Sequence, residues 1–125
     1  MAGWAVSLRN SILDKILRNV DFTITGVRVG LHTSDPGLTG ENEVAGGSYV
    51  RQTPSYLAAV DALSETDADI DFTGMPACTV THVSLWTDTG TFLISGALDE
   101  PKVVNAGDTF RLPAAALDVA LNASA

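Results

Sequence analysis

The sequence predicts a mainly β protein, an antiparallel β-sandwich of about seven short strands behind one N-terminal amphipathic α-helix. Segments that alternate apolar and polar residues recur from residue 27 to residue 121. Turn sequences rich in Gly, Pro, Asn and Asp separate these segments, among them SDPG, GENE, TGMP, DTG, EPK and NAGD. No helical pattern lies between them, and such short connections favour antiparallel pairing.

The chain has 125 residues, a length that fits one compact domain. We therefore predict a single domain over residues 1–125, with the helix over residues 7–20 and the sandwich over residues 21–125. A lone cysteine, Cys78, cannot form an internal disulfide, so the fold has to depend on its hydrophobic core. The sequence has no secretory pattern and no apolar run of membrane-spanning length, which predicts synthesis in the cytoplasm and no membrane partner.

Apolar residues at helical spacing predict the helix. Ser7 is the expected N-cap, and the β-branched run from Thr23 to Thr25 is expected to end the pattern. A helix of about 13 residues is marginal alone in water, so its apolar stripe needs a partner. We favour packing on its own domain over docking on a neighbouring subunit. The stripe consists of Leu8, Ile12, Leu13, Ile16, Leu17 and Val20.

The first strand is predicted over residues 27–32, where Val27, Val29 and Leu31 share one face. Residues 49–56 are predicted as an edge or bulged strand because Pro54 interrupts them. The segment between these two strands, residues 33–48, is longer than a hairpin loop, which indicates a functional or docked loop. The other predicted strands cover residues 69–72, 79–86, 92–98, 103–104, 109–112 and 117–121.

The charge is unevenly distributed. Seven basic and fifteen acidic residues give a net charge of −8, which disfavours nucleic acid as a partner. Residues 1–20 carry Arg9, Lys15 and Arg18 against Asp14, a net charge of +2, so the remainder carries −10. This contrast predicts a docking helix and an exposed acidic domain.

Catalytic motifs are missing from the sequence. A GxSxG nucleophile elbow does not occur, and His82 lies inside an alternating strand pattern. His32 is better explained as a hydrogen-bonded residue at a strand end. The glycine pair Gly46–Gly47 has no following lysine or helix, so it reads as a sharp turn rather than a phosphate-binding loop. We expect no enzymatic activity and no cofactor.

Two binding alternatives remain open in the sequence. Asp67, Asp69 and Asp71 alternate and are weak candidates for a Ca²⁺ site, but the EF-hand pattern fails and a solvated acidic rim is favoured. Aromatic residues that offer a sugar-binding surface are dispersed in sequence, which favours packing in the core or an interface. They are Trp4, Tyr49, Tyr56 and Trp86.

Several segments together resemble a known family. They read SLRNSILDKILRNV, LHTSDPG, GENEV, GGSYVRQ, TVTHVSLWTD and LISGALDEPKVVNAGDTF, in this order from residue 7 to residue 110. The chain resembles small virion proteins of tailed bacteriophages, usually labelled tail fibre or minor tail proteins. The resemblance implies a structural virion protein that forms a homo-oligomer, with a trimer favoured, and that contacts tail or major capsid subunits. A capsid decoration protein is one alternative, and a module that binds host surface glycans is another.

The resemblance also suggests which residues form assembly contacts. Arg51 is predicted to hold the long loop through a forked ion pair with Asp35, Glu41 or Glu43. The candidate interface residues are Leu8, Arg9, Ile12, Lys15, Ile16 and Arg18 on the helix, and His32, Asp35, Glu43, Tyr49 and Arg51 at the loop.

Overall fold

The structure is a computed structural model that describes residues 3–120. Every strand pair is antiparallel, so the predicted mainly β class with a short N-terminal helix is confirmed. The elements are α1 (Val6–Arg18), β1 (Val27–His32), β2 (Leu63–Glu65), β3 (Ile70–Phe72), β4 (Cys78–Thr87), β5 (Phe92–Val104), β6 (Phe110–Leu112) and β7 (Asp118–Ala120).

The strands form one three-stranded sheet and two two-stranded ribbons. The sheet has the order β1-β4-β5, and the ribbons are β2-β7 and β3-β6. On one face of the sheet, Val29 and Leu31 of β1 are fully buried beside Leu85 of β4. Phe72 and Phe110 of the β3-β6 ribbon belong to the same buried cluster. The core therefore lies between the sheet and this ribbon.

The helix begins at Val6 rather than after a Ser7 cap. The backbone N–H of Ala5 donates to the carbonyl of Leu93 at 2.7 Å, and Trp4 forms a bridge with Ile94. Trp4 and Ala5 are thus paired with β5, and the helix begins at the next residue, Val6. It ends at Arg18, two residues earlier than predicted, because Asn19 adopts the left-handed conformation with φ 55°.

The strands differ from the prediction at four places in the chain. Residues 49–56 form no strand, only isolated bridges through Gln52 and Tyr56. The two predicted segments 92–98 and 103–104 are one strand, β5, and EPK lies within it. β2 was not predicted because its three residues show no apolar alternation. β7 covers residues 118–120, and Leu121 of the predicted last strand lies outside the described residues.

The long loop and the segment after it dock on the edge of β1. Val29 exchanges two backbone hydrogen bonds with Gln52, of 2.7 and 3.1 Å, and the N–H of Val44 donates to the carbonyl of Leu31 at 2.9 Å. These contacts satisfy backbone groups that an open sheet edge leaves unpaired. At the end of the loop, the N–H of Ser48 donates to the carbonyl of Gly74 at 2.8 Å.

Gly47 permits this close approach. It has a φ of 55°, and a Cβ at this position would lie 2.5 Å from the carbonyl oxygen of Gly74. Gly37, in the same loop, has a φ of 63° but open space around the corresponding position. Both glycines therefore adopt a left-handed backbone conformation, but a side chain would clash with neighbouring atoms only at Gly47.

We predict that Gly47→Ala destabilises the fold more than Gly37→Ala. Left-handed backbone costs an alanine about 1 kcal/mol at either site, and at Gly47 the clash adds about 1–3 kcal/mol. Urea unfolding with an unchanged m-value measures both variants. Equal losses in the two variants would contradict the close packing of the loop against Gly74.

Candidate functional site

A cluster of polar and aromatic side chains joins the long loop to the second face of the sheet. We call it the loop-anchoring cluster. It consists of His32, Glu43, Tyr49, Arg51, Ser84 and Trp86.

The ion pair between Glu43 and Arg51 lies at its centre. Nε of Arg51 donates to Oε2 of Glu43 at 2.9 Å, and the NH2 nitrogen donates to Oε1 at 2.8 Å. The two side chains are only 22% and 25% exposed. The same guanidinium lies 3.7 Å above the ring centroid of Trp86. Of the three acidic partners that the sequence offered to Arg51, the structure selects Glu43.

A glycine in the middle of β1 makes room for this carboxylate. A Cβ at Gly30 would lie 2.9 Å from both Oε2 of Glu43 and Oγ of Ser84. The hydroxyl of Tyr49 completes the site, since it donates to Oε2 of Glu43 at 2.8 Å and accepts the N–H of Leu31 at 2.9 Å. The carboxylate is therefore held from the loop side and from the sheet edge.

His32 forms the second half of the cluster. Its Nδ1 lies 2.7 Å from the carbonyl oxygen of Glu41, which can only accept, so Nδ1 carries the proton. Its Nε2 lies 2.7 Å from Oγ of Ser84, and Nε1–H of Trp86 donates to the same Oγ at 2.7 Å. The hydroxyl of Ser84 thus accepts from Trp86 and donates to His32, and a neutral imidazole satisfies every group.

Burial and charge set the protonation states. Burial lowers the pKa of His32, which favours the neutral ring. Burial also acts to raise the pKa of Glu43, but hydrogen bonds from Arg51 and Tyr49 outweigh it and hold that pKa below its usual value. The pKa of Tyr49 is raised, mainly by burial. At neutral pH the cluster therefore contains one compensated ion pair and a neutral imidazole.

Ser84 and His32 lie within hydrogen-bonding distance, as a catalytic nucleophile and its base do, but their surroundings differ from those of a catalytic pair. Both residues are fully buried, with 0% exposure, and the third partner is the backbone carbonyl of Glu41 rather than a carboxylate. In this arrangement the hydrogen bonds link β4 and β1 to the loop.

Four of the residues predicted at the loop contact one another within the chain. His32, Glu43, Tyr49 and Arg51 belong to the loop-anchoring cluster, and their predicted role as contacts between subunits stays a prediction. Asp35 is exposed and stabilises a turn, because its carboxylate accepts the N–H of Gly37 at 2.9 Å. Sequence reasoning missed Ser84 and the cluster role of Trp86. The signal was Gly30, since a glycine inside a strand indicates close approach of another group.

The alternating aspartates are engaged with other residues. Arg111 donates two hydrogen bonds to Asp71, of 2.6 and 3.0 Å, which lower the pKa of that carboxyl, and it lies 3.8 Å from Asp69. Asp67 accepts from the hydroxyl of Ser55. Within residues 3–120 no group of three acidic, histidine or cysteine side chains is arranged to hold a metal ion.

The candidate sugar-binding aromatics are mostly covered. Trp86 is 8% exposed and lies under Arg51, and the hydroxyl of Tyr49 is used by Glu43. Trp4 packs partly buried against the core. Burial raises the pKa of Tyr56 to about 12. These residues do not form a shared exposed face.

The helix is only partly packed on its own domain. Leu8 is buried and Ile12 packs against the core, whereas Leu13, Ile16 and Leu17 are 54%, 70% and 75% exposed. The expectation of packing on the domain therefore holds for the first half of α1 alone. No helix within the described residues has the length and hydropathy to cross a membrane.

The basic residues of the helix differ in their surroundings. Lys15 pairs with Asp21, and Arg18 pairs with Asp14 at 3.4 Å. Arg9 forms no ion pair with any residue from 3 to 120. Of the predicted helical contacts, Leu8 and Ile12 serve the core, and Arg9 and Ile16 lie on the exposed side.

We predict that Arg51→Ala lowers the free energy of unfolding by about 2 kcal/mol, because it leaves the half-buried Glu43 without its ion pair. Arg51→Lys should recover less than half of this loss, since lysine cannot form the fork or stack on Trp86. The control is Arg28→Ala, an exposed arginine of β1, which should change stability by less than about 0.5 kcal/mol. An Arg51→Ala variant that unfolds like the parent would exclude an anchoring role.

We predict that stability falls as the pH is lowered from 7 to 5.5. The unfolded chain takes up a proton at His32 near pH 6.5, whereas the lowered pKa in the folded state delays this uptake. The slope contributed by one proton is at most about 1.4 kcal/mol per pH unit. His32→Gln should remove this slope and His82→Gln should keep it, as measured by chemical unfolding at each pH. An unchanged slope in His32→Gln would refute the assignment.

Comparison with known proteins places the chain in a phage family. A family model described as podophage GP4 fiber I protein gp80 matches residues 3–120. No curated protein matches the chain. The family match extends over α1, the long loop, the loop-anchoring cluster and the last described strand. The chain therefore belongs to the podophage GP4 fiber I protein family, gp80.

Proposed function

We propose that this chain is a non-enzymatic structural subunit of a tailed-phage virion, of the tail-fibre or minor tail class, and that it assembles as a homo-oligomer on the particle. The family match supports a fibre protein of a phage. The observation that carries the assembly is the exposed apolar side of α1.

Exposed apolar residues occur on α1 and also in the segment that follows it. The helical spacing places Val6, Leu13, Ile16 and Leu17 on one side of α1. Val20, Phe22 and Ile24, which follow the helix, are 44%, 42% and 38% exposed. Monomeric proteins rarely expose contiguous apolar patches beyond a few hundred Å². A surface of this composition is therefore suited to a contact with another protein.

The loop-anchoring cluster supports a structural role in a second way. It contains the hydrogen-bonded pair of Ser84 and His32, and both residues are fully buried, so a substrate cannot reach them. It also fastens residues 33–48 to the sheet, so the loop presents a fixed outer surface. Fixed surfaces favour repeated contacts in a particle, because little conformational entropy is lost on assembly.

Attachment to the head remains the alternative position on the particle, and the test has to distinguish it from the tail. Labelled antibody or a small tag on the exposed Val60 turn would locate the chain by electron microscopy of particles. Label at the tail supports the proposal, whereas label over the head surface assigns a decoration role. Absence of the chain from purified particles overturns both.

We predict that the double variant Leu13→Lys, Leu17→Lys folds like the parent but is incorporated into particles at a much lower level. Both side chains are more than half exposed, so the substitution costs little in the isolated domain and places charge in the proposed contact. Quantitative mass spectrometry of purified particles measures the level.

The matched control is Val60→Lys, which alters an equally exposed apolar residue, 69% exposed, away from the helix. It should be incorporated normally. If the helix variant reached the parental level in particles, α1 would not be the assembly surface.

A further inference from the structure

We infer that α1 of one copy docks into a groove of the neighbouring copy, between the second half of β5 and β6. This inference rests on the proposed homo-oligomer and names the surface that receives the helix. The subunits would then be joined by two different surfaces, one on each partner.

The groove has an apolar floor and a mostly acidic rim. It is open to solvent and has a volume of about 660 Å³. Leu98 and Val103 of β5 are accessible along it, and Val103 is 78% exposed. Phe110 and Leu112 of β6 lie at its base. An exposed apolar groove of this kind fits the side chains of an amphipathic helix.

The charges on the rim favour a basic occupant. Asp99, Glu100 and Asp108 line the groove together with Lys102. Arg111 also lines it, but its guanidinium already forms an ion pair with the carboxylate of Asp71. Three acidic groups against one basic group leave the rim with a net negative charge.

The exposed side of α1 has the matching pattern. Arg9 lies four residues before Leu13 and seven before Ile16, which places all three on the same side of the helix. Arg9 has no ion pair within the described residues, and its neighbours on this side are apolar. A helix docked by Leu13 and Ile16 therefore carries one guanidinium to the acidic rim.

The overall charge favours this contact over other contacts between copies. Beyond residue 24 the chain has four basic and thirteen acidic residues, so two acidic surfaces repel each other. Residues 1–24 contain three basic and two acidic residues. The helix is thus the part of one copy that can approach the acidic groove of another without like-charge repulsion.

The two surfaces lie at different ends of β5 in each copy. Trp4, just before α1, bridges Ile94 near the start of β5, whereas the groove begins at Leu98 and runs to the end of the strand. A helix-in-groove contact that is not returned across a two-fold axis is heterologous, and it closes into a ring when the rotation between subunits allows. This agrees with the expected trimer, and a two-fold pairing of helices would not use the groove.

The test is a charge exchange measured by light scattering and analytical ultracentrifugation of the full chain over a range of concentrations. Arg9→Glu alone and the pair Asp99→Arg, Glu100→Arg alone should each weaken association about tenfold. The triple variant, which carries both changes in one chain, restores the opposite charges across the contact and should recover association. All three positions are exposed, so the substitutions should leave the fold intact. Circular dichroism of each variant checks this.

Four outcomes contradict the inference. They are a parent chain that stays monomeric at every concentration, groove variants that associate like the parent, a failure of Arg9→Glu to weaken association, and a triple variant that stays dissociated. None of these results contradicts a role in the virion, because particle incorporation tests that role separately.

Discussion

The structure depends on the ion pair between Glu43 and Arg51. It joins Glu43 within the long loop to Arg51 just beyond the end of the loop, at 2.8 and 2.9 Å, and the guanidinium also covers Trp86. Through Tyr49 the same carboxylate reaches the backbone of β1. Loop, sheet edge and second sheet face are therefore fixed by one partly buried pair. Because both charges have lost most of their water, either one alone would destabilise the fold.

This arrangement separates the chain into two parts with different properties. The polar side chains of the loop-anchoring cluster form hydrogen bonds that hold the loop on the strands. Most of the acidic residues of the chain also belong to this part. The second half of α1 instead exposes apolar residues that the domain does not cover. The buried cluster explains how the domain keeps its shape. Monomeric proteins rarely expose such apolar surface, and this is the basis of the proposed assembly.

The periodic parts of the sequence predicted the fold well. β1 and β4 were found with nearly correct ends, because apolar residues alternate over the six residues of β1 and the ten residues of β4 are rich in β-branched side chains. β2 was missed, and a strand was predicted where only the bridges of Gln52 and Tyr56 occur. In both places the pairing depends on tertiary contacts rather than on an alternating sequence pattern. The sequence also indicated that Arg51 holds the loop. It did not indicate that Gly30 opens space for Glu43, or that Ser84 and Trp86 complete the site, since these contacts join separate segments of the chain, in the case of His32 and Ser84 52 positions apart.

The most direct test of this account is a reconstruction of the phage particle at side-chain resolution. We expect density for several copies of the chain at the tail, with Leu13 and Ile16 of each copy seated between β5 and β6 of the next and Arg9 beside Asp99 or Glu100. Copies at the tail whose α1 faces solvent, with an empty groove in the neighbouring copy, would contradict it.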